Sequence, residues 1–381
     1  MTAATIMLLG GYGNAGLHIA RILLAETDAH VVLAGRNLQA ATSAADALAA
    51  DFGVGRTSAA RVDAVDPAAT TQALVASGAS VLVVAASTIA HAREVATAAL
   101  DAGADYFDLQ ISSPARHAAL RRLRGRIEKE DRCFITDGGF RPGIPAAMIR
   151  YAAEQRPGLC DAQVGSVFQL DWAQRKFSDS SAEEFAEELK GYSTLVFRDK
   201  QWRPAKASEM PEFDFGEPFG KHRCTPMFMD EFRLLPEELP ALRSTGFYSG
   251  GFGPTVDYVV IPLSLLLVKL FPERSRPLIG RLFTWGLTRH TKPPYGAVLR
   301  LQARDENSQR FDMTVWHEDP YALTAIAASA SLLQYLDGTI AVPGLRSQAM
   351  AVAPRRFFED LTRLGARVSV DDPATSEQAQ K

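Results

Sequence analysis

The chain has 381 residues, of which 47% are hydrophobic and 22% charged, and its formal net charge is −3. At about 150 residues per domain, this length predicts two domains. The composition is that of a globular protein with a full core, and the near-balance of charge gives no electrostatic reason to expect a nucleic-acid partner.

The cysteines and the N-terminus indicate the cellular compartment in which the protein resides. The three cysteines (Cys133, Cys160 and Cys224) are far apart and form no CxxC pair. This pattern predicts neither a disulfide framework nor a metal site and fits a reducing, cytoplasmic compartment. The first residues have no basic region and no cleavage site, so no signal peptide is expected.

Strands and helices alternate six times along the first part of the chain. The predicted strands are Thr5–Leu9, His30–Ala34, Arg61–Asp63, Val81–Ala86, Tyr106–Leu109 and Cys133–Thr136. The predicted helices are Asn14–Leu24, Leu38–Ala50, Pro67–Ala76, Ala90–Leu100 and Pro114–Glu130. Alternation at this spacing requires parallel strands joined by crossover helices, which predicts an α/β chain with a Rossmann-type doubly wound parallel sheet.

After Pro145 the pattern changes to that of a second, mixed α+β domain built on a sheet. The predicted strands there are Gln163–Leu170, Ser193–Arg198, Ala297–Ala303 and Arg310–Val315. The predicted helices are Pro145–Ala153, Ser181–Leu189 and Val259–Leu270. The chain then continues with helices at Pro320–Leu336 and Pro354–Leu364, a strand at Ala366–Val370, and a polar tail expected to be disordered.

The second domain contains one strongly apolar stretch, residues 256–287. Its first run, Val256–Phe271, is short for a transmembrane helix and is interrupted by Asp257, Pro262 and Lys269. Two interpretations stay open. The stretch is either a buried or subunit-interface helix, or a surface that meets lipid or an apolar substrate.

A glycine-rich motif lies between the first strand and the first helix. It consists of Gly10, Gly11, Tyr12, Gly13, Asn14, Ala15 and Gly16. Glycines let the backbone approach a pyrophosphate closely, and the helix N-terminus presents free N–H groups to its charge. The glycine pattern can be aligned to start at Gly11 or at Gly10. Which glycines approach the pyrophosphate most closely therefore stays undecided.

The residue after the second strand indicates which dinucleotide is bound. Arg36 lies 20 residues after Gly16, where NAD enzymes usually carry an acidic residue that accepts hydrogen bonds from the ribose. An arginine cannot accept those bonds, but it can bind a 2′-phosphate. Arg36, with Asn37 beside it, therefore favours NADP(H) over NAD; the alternative is that Arg36 is a solvated surface residue.

Further candidates follow the other strands, because ligands of open parallel sheets bind outside the carboxyl ends of the strands. Asp63 could face the adenine or form a turn. Ala85, Ala86 and Ser87 end the fourth strand and would let the cofactor pass. Beyond the fifth and sixth strands lie Asp108, Gln110, Asp137, Gly138 and Gly139.

The segment from Asp137 to Pro145 contains three glycines and two prolines, which predict an irregular, rigid loop. It would frame the nicotinamide or merely connect two domains. Signatures of other chemistries are absent from the sequence: there is no Tyr-x-x-x-Lys pair, no GxSxG elbow, no complete P-loop and no zinc motif after His317-Glu318.

These motifs resemble those of the saccharopine dehydrogenase-like oxidoreductases. The resemblance rests on Gly10–Gly16, Ala34–Arg36, Val81–Ser87, Ala104–Leu109, Asp137–Gly143 and Tyr321–Gly338. It implies a split chain, with an NADP-binding Rossmann domain at 1–141 and an inserted substrate and dimerisation domain at 142–319. Helices at 320–370 would return to the Rossmann domain, and 371–381 would be the tail.

The resemblance also implies NADP(H)-dependent hydride transfer to or from a C–N bond of a small molecule, in a homodimer. Asp108, His91 and Asp137 are the candidate proton donors, and Arg141 would hold a carboxylate or polarise a carbonyl. An amino-acid conjugate would call for arginines such as Arg198, Arg203 and Arg223. The alternatives are a reductase of lipid or polyketide chains, in peripheral contact with a membrane through 256–287, and a non-catalytic NADP-binding sensor or scaffold.

Overall fold

A computed structural model describes residues 4–171, 192–251, 253, 255–271, 276–290 and 292–371. Contacts divide the chain into two units. Unit 1 runs to Ile144 and is completed by Tyr321–Leu364, whereas unit 2 comprises Pro145–Pro320 and the segment from Gly365 onward. The predicted helix Ser181–Leu189 and the tail beyond Asp371 lie outside the described residues.

Unit 1 is built on a parallel sheet. The strands are β1 (Thr5–Leu9), β2 (His30–Gly35), β3 (Thr57–Arg61), β4 (Val81–Val84), β5 (Asp105–Asp108), β6 (Cys133–Thr136) and β16 (Gly344–Ser347). Among the described residues they form one seven-stranded sheet in the order β16-β6-β5-β4-β1-β2-β3. The central strands β1 and β4 are apolar apart from Thr5, because helices cover both faces of such a sheet.

The helices of unit 1 begin where the sequence offers caps. They are α1 (Asn14–Glu26), α2 (Leu38–Phe52), α3 (Pro67–Ser77), α4 (Ala92–Asp101), α5 (Pro114–Arg121), α6 (Arg124–Lys129), α11 (Pro320–Leu336), α12 (Gln348–Ala351) and α13 (Pro354–Arg363). Asn37 and Asp66 accept hydrogen bonds, each 3.0 Å long, from the N–H groups of Ala40 and Ala69. A 3-10 turn, Ile89–His91, precedes α4.

Two predicted elements of unit 1 differ from the structure. The third strand lies at Thr57–Arg61 rather than at Arg61–Asp63, because it is a half-buried strand without the apolar run that marks its neighbours. The single helix predicted over Pro114–Glu130 is two helices, α5 and α6.

Unit 2 contains a mixed sheet, α7 (Ile144–Gln155) and α8 (Leu235–Glu238). Its strands are β7 (Leu159–Gln169), β8 (Leu195–Arg198), β9 (Gln201–Pro204), β12 (Thr225–Pro226), β13 (Ser244–Gly250), β14 (Gly296–Asp305), β15 (Arg310–His317) and β17 (Arg367–Asp371). Their order is β17-β15-β14-β7-β13-β8-β9, with β12 beside β13. A separate hairpin joins β10 (Glu212–Asp214) to β11 (Lys221–Arg223). The predicted α/β chain with a Rossmann-type sheet and a mixed second domain is confirmed.

The last strand requires a correction to the predicted segment 320–370. β17 pairs antiparallel with β15 and therefore lies in the sheet of unit 2. It satisfies backbone groups that the edge of β15 would otherwise leave unpaired.

The apolar stretch of unit 2 forms a π-helical turn, Val256–Val260, followed by α9 (Ile261–Leu270) and α10 (Arg276–His290). A small core holds it together, formed by Val256, Val260, Ile279 and Leu287. Seven large apolar side chains are nevertheless 40–57% exposed: Val259, Leu263, Leu266, Leu270, Phe271, Leu278 and Trp285. Within the described part of the chain, no helix is long and apolar enough to cross a membrane.

Candidate functional site

The glycine-rich loop lies between the ends of β2 and β4. The Gly10 N–H donates to the Ala34 carbonyl at 2.8 Å, and the Ala85 N–H donates to the Leu9 carbonyl at 2.8 Å. A Cβ on Gly10 would come within 2.9 Å of the Ala85 backbone and of the Ala86 Cβ. Three predicted elements of a cofactor site therefore meet at the carboxyl edge of the sheet.

The glycines of this loop have different surroundings. A Cβ on Gly11 would lie 2.8 Å from the Leu33 side chain, and one on Gly16 would overlap the Gly10 carbonyl oxygen. For Gly13 the nearest atom is the Gly10 carbonyl oxygen, at 3.1 Å. Packing within the protein therefore requires glycine at 10, 11 and 16, whereas Gly13 is exposed and a Cβ there would meet only one atom within 4 Å.

The start of α1 offers hydrogen-bond donors beside Gly13. Gly13 is the N-cap residue, and no side chain caps this helix. The N–H groups of Asn14, Ala15 and Gly16, in the first turn, have no intrahelical acceptor, and the positive end of the helix dipole adds to them. This arrangement suits a pyrophosphate, because an exposed glycine and free N–H groups meet at one point.

Tyr12 and Gly35 connect the glycine loop to the end of β2. A Cβ on Gly35 would lie 2.5–2.8 Å from the Tyr12 ring atoms and hydroxyl. The Asn37 N–H donates to the Tyr12 hydroxyl oxygen at 3.1 Å. Arg36 is exposed, and no carboxylate of the described residues pairs with it. The Arg36 charge and the Tyr12 O–H group are thus available to a phosphate beside the end of β2.

Asp63 and Ser87 lie at the ends of the neighbouring strands. The Asp63 carboxylate accepts from the Val65 N–H at 3.3 Å, and its carbonyl accepts from the Asp66 N–H at 3.0 Å. These bonds correspond to the turn interpretation of Asp63. Ser87 is exposed just beyond β4.

A buried ionic network lies beyond β5 and β6, centred on Arg116. Its Nη1 donates to both carboxylate oxygens of Asp108, at 2.8 and 3.0 Å, and to the Thr136 hydroxyl. Its Nη2 donates to the Asp137 carboxylate. Thr136 in turn donates to Asp108 at 3.0 Å. Arg116 is 1% exposed and Asp108 is fully buried, so the network is closed to solvent.

The charges of this network stabilise one another. Burial opposes the charge of Arg116, but Asp108 and Asp137 raise its pKa above the ordinary value. Burial likewise opposes ionisation of Asp137, but His117 and Arg116 bring its pKa below 3.8. His117 Nε2 lies 3.3 Å from Asp137 and 3.2 Å from the Ser112 hydroxyl.

This geometry differs from the predicted use of Asp108 and Asp137 as proton donors. Asp137 is ionised at neutral pH and has no proton to give, and both oxygens of Asp108 accept hydrogen bonds from Arg116. Both carboxylates are instead hydrogen-bonded to Arg116.

The loop after β6 is held at its glycines. The Gly138 N–H donates to the Asp108 carbonyl at 2.8 Å. The buried amide of Gln348 accepts from the Gly139 N–H at 3.0 Å and donates to the Gly139 carbonyl at 3.2 Å. Gly139 has a φ of +103°, which favours glycine. Arg141 is half-buried within this loop.

His91 lies on a turn that is connected to the same edge of the sheet. Gln110 donates from its amide to the Thr88 hydroxyl at 2.6 Å, and its N–H donates to Asp108 at 3.3 Å. His91 follows Thr88 on the 3-10 turn and is half-buried. The His91 ring forms no hydrogen bond with any described residue. In this it differs from the carboxylates of Asp108 and Asp137, which are hydrogen-bonded to Arg116.

The strand order 3-2-1-4-5-6 and the glycine loop at a helix N-terminus define a dinucleotide-binding Rossmann domain of the kind used by oxidoreductases. Residues 6–135 match the family model described as the saccharopine dehydrogenase NADP binding domain. Unit 1 therefore contains a domain of the saccharopine dehydrogenase NADP-binding type. The predicted cofactor, NADP(H), and the predicted family are confirmed.

One solved structure extends the similarity of fold over 97% of the chain. The saccharopine dehydrogenase (L-Glu forming) from Saccharomyces cerevisiae matches with a TM-score of 0.64 and 16% identity, over 97% of this chain and 100% of that one. A dehydrogenase from Chromobacterium violaceum matches with a TM-score of 0.46 and 10% identity, over 96% and 94%. No curated protein matches the chain in sequence.

Proposed function

We propose that this NADP-dependent oxidoreductase transfers hydride to or from the C–N bond of an imine or secondary amine. The observation that carries the proposal is the whole-chain similarity of fold to an L-Glu-forming saccharopine dehydrogenase, which includes the unit beyond the NADP-binding domain. Saccharopine is itself a secondary amine, and the C–N substrate class is carried over from that protein's name.

The cofactor would lie along the carboxyl edge of the unit 1 sheet. The free N–H groups at the start of α1 would hold the pyrophosphate over Gly13. Arg36, with the Tyr12 hydroxyl and Asn37, would hold the 2′-phosphate. Ala85, Ala86 and Ser87 would border the path from there to Gly139. When bound, the nicotinamide supplies or accepts the hydride.

The residues around the nicotinamide would then divide the remaining tasks. Asp108 and Asp137 would act through Arg116 as positioning residues, because their carboxylates bind Arg116 at the ends of β5 and β6, from which the loop continues. Arg141 would bind a substrate carboxylate or polarise a carbonyl. His91 would exchange the proton that accompanies the hydride, since its ring is partly accessible and not otherwise engaged.

The test is turnover at 340 nm with NADP+ and saccharopine-type secondary amines, or with NADPH and the corresponding imines. We expect activity with at least one such pair. His91→Asn should lower kcat by about 100-fold or more, within the usual range for general acid–base groups, and leave the NADPH Kd unchanged. Cofactor binding without turnover of any C–N substrate would contradict the proposal and favour the sensor or scaffold.

A second candidate function is reduction of a lipid or polyketide chain at a membrane surface. The seven exposed apolar side chains of the segment 259–285 favour it, because a concentration of exposed apolar side chains in one segment is typical of surfaces that meet lipid or another protein. The predicted homodimer and the predicted peripheral membrane contact would both use this surface. The cytoplasmic location stays a prediction.

Two measurements distinguish lipid contact from a subunit interface at this surface. They are co-sedimentation of the protein with anionic vesicles and its molecular mass in solution. If the surface meets lipid, Leu266→Ser with Trp285→Ser should abolish vesicle binding, whereas Leu234→Ser, at a 43% exposed leucine outside the segment, should not. If it is a subunit interface, the same double variant should convert a dimer to a monomer. This candidate would be ruled out if the protein is a monomer, does not bind vesicles and does not reduce acyl substrates.

A further inference from the structure

Unit 2 contains a cavity of about 410 Å³ against one face of its mixed sheet. Pro211 and Ala303 border it, and its polar lining comes from β7, β14 and β15: Asp161, Gln163, Gln302, Arg304, Arg310 and Asp312. A cavity of this size accommodates a small metabolite.

Two arginines face each other across the lining. Arg304 of β14 and Arg310 of β15 are directly opposite in the antiparallel register, so their side chains share one face of the sheet. Like charges placed opposite each other destabilise a sheet. Both side chains are exposed, and no described residue makes an ion pair or a side-chain hydrogen bond with either.

The two carboxylates of the lining balance these charges only in part. Asp161 is directly opposite Arg304 in the register of β7 and β14. Burial raises the pKa of Asp312, and the nearby guanidinium groups of Arg300 and Arg310 oppose that rise. Asp312 lies 2.9 Å from Arg300, and Asp161 lies 3.7 Å from Arg198. Neither Arg300 nor Arg198 is part of the lining, so each aspartate already has a cationic partner elsewhere. Each lining carboxylate is thus shared between two arginines, and Arg304 and Arg310 keep hydrogen-bond donors that no described carboxylate binds.

The amides of the lining add neutral donors. Gln163 and Gln302 are opposite each other in the register of β7 and β14, one step along the sheet from Arg304. Gln163 donates to Asp161 at 3.2 Å, which leaves its second amide hydrogen available. Two guanidinium groups and two amides thus line one concave face.

We propose that this cavity is a binding site for a small dianion, either a dicarboxylate or a phosphate. A guanidinium donates two parallel hydrogen bonds to a carboxylate or a phosphate, and two such groups side by side require two negative charges. Two arginines expected to hold a carboxylate have other partners: Arg198 donates to the Tyr248 hydroxyl at 2.9 Å, and Arg203 pairs with Glu209 at 2.6 Å. None of its lining residues is a proposed NADP-binding residue, and the proposal does not depend on the proposed reaction.

The test is isothermal titration of the full chain, without NADPH, at constant ionic strength. The probes are inorganic phosphate, succinate and acetate. We expect saturable binding of one equivalent of phosphate or succinate. Tighter binding of phosphate would indicate a phosphate ligand, and tighter binding of succinate would indicate a dicarboxylate. Acetate, with one charge, should bind at least about 10-fold more weakly, since it leaves one charge-assisted pair unmade.

Substitutions then assign the binding to the two arginines. Arg304→Gln and Arg310→Gln should each weaken the better dianion by about 10-fold or more, and the double variant should abolish binding. Arg243→Gln removes another exposed cation, outside the cavity, and should bind like the wild type. NADPH titration of each variant shows that the chain is folded. Absence of saturable dianion binding, or an equal loss in Arg243→Gln, would overturn the proposal.

Discussion

Arg116 Nη1 donates two hydrogen bonds to the Asp108 carboxylate, at 2.8 and 3.0 Å, and both side chains are fully buried. Transfer of each ion from water costs several kcal/mol, and only a charged partner with good geometry offsets that cost. Each member of the network therefore depends on the others, and removing one leaves an uncompensated charge in the interior.

The first prediction concerns Arg116→Gln. It leaves Asp108 and Asp137 buried without their cation and should lower the free energy of unfolding by about 3–5 kcal/mol. Urea unfolding measures this change. Arg21→Gln breaks the exposed pair with Asp51 and should cost less than about 1 kcal/mol. A loss of similar size in both variants would mean that the network contributes no more than a surface ion pair.

The second prediction is a pH dependence that arises from Asp137. Its pKa is lower in the folded protein than in the unfolded chain, so the unfolded chain binds more protons as the medium becomes acidic. The stabilisation is fully present above pH about 4, the ordinary Asp value, and is lost as pH falls through the lower folded-state pKa. Asp137→Asn should therefore flatten the fall in unfolding free energy between pH 5 and 2, as urea titrations would show. An unchanged slope would contradict this assignment.

The third prediction tests cofactor preference at Arg36. Arg36→Gln should weaken NADPH binding by about 10- to 100-fold, because one or two charge-assisted hydrogen bonds to the 2′-phosphate are lost. NADH lacks that phosphate, so its affinity should change little. Fluorescence titration with both cofactors gives the ratio, with Arg21→Gln as the matched surface control. Parallel losses for NADPH and NADH would remove Arg36 from the phosphate site.

The fourth prediction separates two glycines of one loop. Gly13→Ala adds a methyl group that meets only the Gly10 carbonyl, at 3.1 Å, so the melting temperature should change little while NADPH affinity falls. Gly16→Ala places its methyl group on the Gly10 carbonyl, which should lower the melting temperature. Thermal unfolding and NADPH titration of both variants provide the comparison. If Gly13→Ala binds NADPH normally, the pyrophosphate does not pass over Gly13.

Much of unit 1 was predictable from local sequence, because local patterns determine it. The residues of β1 and β6 agree with the predicted ranges, since continuous apolar runs bounded by polar or glycine residues mark buried parallel strands. β16 could not be predicted, because Gly344–Ser347 is short, lacks such a run and becomes a strand only by pairing with β6.

The candidate site was predictable where a motif determines it and not where distant residues meet. Arg116 lies in the first turn of α5, where a charged side chain usually faces solvent, and its partners are 8 and 21 residues away. Gln348 is 209 residues from Gly139, and no spacing rule connects them. Asp108 and Asp137 were found at the right edge of the sheet, but their chemical state depends on Arg116.

The hydrogen bonds between Gln348 and Gly139 bear on the order in which the chain is assembled. A ribosome synthesises β6 long before β16 and Gln348, with all of Pro145–Pro320 in between. Until then β6 is an unpaired sheet edge, and the loop after it lacks one of its anchors. Unit 1 can therefore reach its final form only after most of unit 2 has been made, and the nascent chain carries an unfinished NADP-binding site during most of its synthesis.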